Sequence, residues 1–154
     1  MSASRFTGQA RRRRWRIAAP LALACALGLA PALAKAPPRP ELLPLSEADM
    51  NRGSETGCTF SFGPGNATLV QAIGSEVMVR TPERFNLCRM DEAQVTAFTD
   101  GKGVVSCGGR QLRLRRTGPL RSHPASDSAS WRATLTILHG RSSQTIRGLG
   151  GVAC

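Results

Sequence analysis

Trp131-Arg132-Ala133-Thr134-Leu135-Thr136-Ile137-Leu138-His139 decides how this chain folds. Trp131, Ala133, Leu135 and Ile137 fall on one face, and Thr134 and Thr136 on the other. A period of two is the mark of an extended strand with one buried side. Gln111–Thr117 repeats the pattern, with Leu112 and Leu114 inward and Arg113 and Arg115 outward. So does the run from Cys58 to Phe62, where Cys58, Phe60 and Phe62 share a face. Further strands are expected at 68–73, 76–80, 84–88, 94–99, 104–107 and 143–147. Gly63-Pro64-Gly65-Asn66, Gly74-Ser75 and Gly108-Gly109 supply turns between them. Thr117 to Ser130 has no period and reads as one long loop.

About eight or nine short strands, turning roughly every 8–12 residues with no helical period after residue 56, define the fold class. Short connections force antiparallel pairing. The expected fold is all-β, a small antiparallel β-barrel or sandwich, with a curled open sheet as the runner-up. Its expected core is Phe60, Phe62, Leu69, Ile73, Val77, Val79, Phe85, Leu87, Val95, Leu112, Leu114, Trp131, Leu135 and Ile137.

The other end of the chain carries an address. Arg11 to Arg14 and Arg16 precede an Ala- and Leu-rich stretch, Ile17 to Ala34, that closes on Ala32-Leu33-Ala34. A positive start, an apolar middle and a small-residue end describe a helical secretory signal peptide over residues 1–34. Ala34-Lys35-Ala36 offers a second cleavage point, after Ala36. A retained anchor is disfavoured because the stretch is Ala-rich and broken by Pro20, Gly28 and Pro31. Cys25 after Ala22-Leu23-Ala24 resembles a lipoprotein box, and the paired arginines resemble a twin-arginine export signal.

Residues 35–56 follow as a Pro-rich linker, with Pro37, Pro38, Pro40 and Pro44 in a short span. It is expected to stay extended and outside the core. Within it, Ser46 and Asp49 are spaced to cap one polar turn. Residues 57–154 form the β domain.

Removing residues 1–34 from the 154 leaves 120, the size of one domain. The net charge of +11 then falls to +5, from 15 Lys and Arg against 10 Asp and Glu. Export also removes the compartment in which a nucleic-acid-binding face would be used, so no nucleic-acid partner is expected. The localisation expected is periplasmic or secreted, with membrane contact only through the leader before cleavage. Four cysteines remain, Cys58, Cys88, Cys107 and Cys154, with no C-x-x-C spacing. In an exported domain they read as two disulfides among three connectivities. Cys88–Cys107 with Cys58–Cys154 is the preferred set, the second tying the first strand to the last.

No catalytic, metal or cofactor motif emerges. Ser122, His123 and Asp127 lie close together in the long loop, but a Ser-His-Asp machine assembles from separated segments. His139 precedes Gly140 and reads as a turn residue. Asp91, Glu92 and Asp100 fall at turns, where acids are common. Asn66-Ala67-Thr68 matches a glycosylation pattern that only a eukaryotic secretory route would use. Arg110, Arg113, Arg115, Arg116 and Arg121 form the densest basic cluster, the candidate surface for an anionic polymer, a lipid headgroup or an acidic protein patch.

Gly57-Cys58-Thr59-Phe60-Ser61-Phe62, Ser130-Trp131-Arg132-Ala133-Thr134-Leu135-Thr136 and Gly150-Gly151-Val152-Ala153-Cys154 together resemble small exported alphaproteobacterial proteins of unknown function, over residues 57–154. In export, size and cysteine stapling, the chain is also similar to the periplasmic β-barrel inhibitors of c-type lysozyme. Those carry a Ser-Gly pair followed by tyrosine in the inhibitory loop. This chain has no tyrosine, and Gln94-Val95-Thr96-Ala97-Phe98 is a poor replacement. The function expected is a non-enzymatic envelope domain that binds an anionic component or a protein. An inhibitor of a lysozyme-like hydrolase is the alternative.

Overall fold

Thr59–Gly63 (β1), Val70–Ile73 (β2), Glu76–Arg80 (β3) and Phe85–Arg89 (β4) open the sheet in the computed structural model, which describes residues 39–154. The leader, both cleavage points and Cys25 lie outside the described residues. Helix α2 (Glu92–Thr99) follows a one-turn helix α1 (Glu47–Met50) in chain order. Strands β5 (Val104–Cys107), β6 (Arg110–Arg116), β7 (Arg121–His123), β8 (Ser128–His139) and β9 (Ser142–Ala153) complete the set.

All nine strands of the described residues belong to one antiparallel sheet in the order β4-β3-β2-β1-β9-β8-β6-β5, with β7 continuing the edge of β6 along β8. The chain meanders from neighbour to neighbour, and β9 returns to pair with β1. The sheet therefore curls into a nearly closed barrel. Its two ends, β4 and β5, are joined by the Cys88–Cys107 disulfide. Cys58–Cys154 staples the ladder of β1 and β9 just beyond the Thr59–Ala153 pair. Both links are the preferred ones.

Alternation fills the barrel. Phe60 and Phe62, Val77 and Val79, Leu112 and Leu114, and Trp131, Leu135 and Ile137 all point inward and are buried. Two glycine features make this possible. Gly108 and Gly109 both take positive φ, as the two-residue turn between β5 and β6 requires. Gly150 faces Trp131 across the ladder, where a Cβ would stand 2.9 Å from the indole Nε1. Sequence reading ends the last strand at Arg147, because glycines look like breakers. Here their small size lets β9 run on beneath the Trp131 ring.

Four expectations are corrected. Gln94–Thr99 is helical, not a strand. Asp91 caps α2 by accepting from Ala93 N at 2.8 Å, and Val95 and Phe98, three apart, share its buried face. Phe98 plugs one mouth of the barrel and meets Phe60 edge-on, with ring centroids 6.3 Å apart.

Phe85 and Leu87 point outward rather than into the barrel, because Cys88 must turn inward to reach Cys107. Ile73, too, is only half-buried. The segment 117–130 is not one loop: it holds β7, a 3-10 turn at Pro124–Ser126, and the start of β8.

The Pro-rich segment is not kept out of the core. Leu42 and Leu45 are buried, and Leu43 bridges Arg80. The strap then climbs the outer face of β2 and β3, which explains why Met78 is buried on the outward side of its strand. Ser46 and Asp49 form the expected capping box around α1.

Candidate functional site

The arginine cluster read from the sequence divides by parity along β6. Leu112 and Leu114 point inward, so Arg110 and Arg116 share their side, while Arg113 and Arg115 face solvent. Arg110 is therefore no part of a partner surface. It is 4% exposed and closes one barrel end, donating to Glu41, Glu83 and the Gly108 carbonyl. Glu41 also meets His139 Nδ1 at 3.0 Å, so the strap is latched to β6 and β8 there. Arg116 closes the opposite end. Its guanidinium lies 4.1 Å from the Trp131 ring centroid and pairs with Asp100.

Arg113, Arg115 and Arg121 are exposed. Two arginines that the sequence reading passed over join them. Register sets Arg115 opposite Thr134, and Thr134 opposite Arg147; one step along, Arg132 stands opposite Leu149. The outward wall of β6, β8 and β9 thus carries Arg113, Arg115, Arg132 and Arg147 among threonines, and Arg121 continues it on β7. Among the described residues, none of these five has a carboxylate partner. Strands β6 to β9 contain no Asp or Glu at all.

That asymmetry extends over the molecule. Residues 39–100 hold five arginines against nine carboxylates, a net of −4. Residues 101–154 hold nine Lys and Arg against one carboxylate, Asp127, a net of +8 with the terminus left out. Charge of one sign concentrated on one side raises the local concentration of counter-ions and steers anionic partners.

Beside the wall, the four residues Thr117 to Leu120 bulge between β6 and β7. Thr117, Gly118 and Pro119 frame a cleft of about 520 Å³ that includes Arg121, His123, Ser130, Trp131, Arg132 and Leu149 in its lining. His123 Nε2 stands 3.0 Å from Ser130 Oγ. Ser122 lies on the opposite parity of β7, and Asp127 occupies a left-handed turn position (φ 43°). The loop triad Ser122, His123 and Asp127 is therefore not assembled. The Ser130–His123 contact has no carboxylate orienting the imidazole among the described residues. What the cleft offers chemically is donors: two guanidiniums, a hydroxyl and an imidazole, beside the apolar Trp131 and Leu149.

Among the described residues, no three His, Cys, Asp or Glu side chains gather as a metal-ligand set. No helix there is long and apolar enough to cross a membrane. No family model matches the chain, and neither a curated protein nor a solved structure matches it.

Proposed function

We propose that this chain is an exported, non-enzymatic binding domain of the periplasm or secreted space that holds an anionic envelope component on the β6–β8–β9 wall. The observation that carries the reading is the wall itself: Arg113, Arg115, Arg121, Arg132 and Arg147 with no acidic residue on their strands. Guanidiniums present planar pairs of donors suited to phosphate, sulfate and carboxylate oxygens. Two disulfides fit an oxidising compartment. The hydrolase-inhibitor alternative has less support, since Val95 and Phe98, within the segment matched to the inhibitory loop, are buried in α2.

Retention on immobilised lipopolysaccharide and peptidoglycan tests the reading. The released protein should be held at low salt and freed by a few hundred millimolar salt, because exposed charges are screened. The variant R113A/R115A/R147A should elute far earlier while unfolding at the same temperature as the parent. Retention that ignores both salt and the three substitutions would remove the reading. So would stoichiometric arrest of lysozyme turnover by the triple variant.

A further inference from the structure

Exposed apolar side chains give the wall a second character. Among the described residues, the large hydrophobic side chains open to solvent are Leu120, Leu138 and Leu149, at 57%, 41% and 53% exposure. None lies on the acidic side. Leu138 and Leu149 project outward from β8 and β9 among the arginines, and Leu120 sits in the bulge before Arg121. Leu138 is six residues along β8 from Arg132, so the mixed surface runs for about 20 Å.

A soluble polyanion would neutralise the arginines and leave three leucines in water. A bilayer engages both, phosphates with the cations and the upper acyl region with the leucines. The cleft beside Leu149 suits one headgroup. Arg121, Arg132 and Ser130 supply donors for phosphate oxygens, with His123 Nε2 3.0 Å from the Ser130 hydroxyl. We infer that the anionic component is a phosphate-bearing lipid surface, on which the wall docks peripherally with one headgroup in the Arg121–Arg132 cleft. This rests on the binding reading above and replaces the expectation that membrane contact ends with the leader.

The test is co-sedimentation of the released protein with vesicles. Binding is expected to phosphatidylglycerol vesicles and not to phosphatidylcholine vesicles. Arg132→Ala should weaken it roughly fivefold. The pair Leu138→Ser and Leu149→Ser should weaken it roughly tenfold while leaving retention on dextran sulfate unchanged. Equal binding to both vesicle types, or anionic-vesicle binding indifferent to the leucine pair, would overturn the inference. Retention on dextran sulfate without vesicle binding would overturn it too, yet leave the broader reading standing. Loss of both would end both.

Discussion

An arginine in this barrel does one of two jobs, and strand parity decides which. On β6, the inward positions at either end hold Arg110 and Arg116, each paired to an acid from another segment; the outward positions hold Arg113 and Arg115, which face water. Arg110→Ala should therefore leave the 16%-exposed Glu41 side chain without its guanidinium and cost about 3 kcal/mol. Arg115→Ala should change stability by less than about 0.5 kcal/mol. Urea unfolding of the two variants checks this, and equal losses would contradict the assignment. The outward pair was legible from the leucines between them. Arg110 was not, because its partner Glu41 returns from 69 residues away. Arg132 is legible as the outward neighbour of Trp131, but one arginine among threonines forms no cluster in the sequence. Arg147 is obscured because the glycines after it read as the end of its strand.

At the scale of elements, turn chemistry and alternation located most strands, and the failures share a cause. Val95 and Phe98 differ by three, so no strand can put both on one face; with Asp91 ahead as a cap, the helix was present in the spacing. The strap failed differently. Its prolines pointed to an extended segment, which it is. Extension does not prevent Leu42 and Leu45 from packing, and only the barrel provides the surface they cover.

The strap's far end is held by Glu76. That carboxylate accepts from Ser54 Oγ at 2.6 Å, Ser54 N at 2.8 Å and Arg89 Nη2 at 2.9 Å. The Ser54 hydroxyl is the main reason that its pKa falls from 4.5 to about 2, against the opposing effect of burial. Asp49 is lowered too, chiefly by its hydrogen bond from Arg80. A folded-state pKa below the unfolded one gives stability that is present above about pH 4.5 and lost as the pH falls toward 2. The urea midpoint should hold from pH 7 to 5 and then drop. Glu76→Gln should lower the midpoint at pH 7 and flatten the drop. A midpoint that rises on acidification, or a variant with the parent's acid slope, would contradict this.

Across the whole molecule, a meander barrel lays the sequence around its circumference. A charge imbalance along such a chain becomes an imbalance across the fold. Residues 39–100 and 101–154, at −4 and +8, thereby become an acidic side and a basic side. The sheet path was legible in outline, since short turns admit only neighbouring antiparallel strands. The position of the seam was not, although the Cys88–Cys107 link that spans it was. The central claim is that the β6–β8–β9 wall is the contact face, and amide chemical-shift mapping of the isotope-labelled protein during a dextran sulfate titration tests it most directly. The account predicts that the shifting amides cluster on β6, β8 and β9 and return to their starting positions at high salt. The largest shifts falling on the strap, α2 or β1 to β4, and persisting in salt, would contradict it.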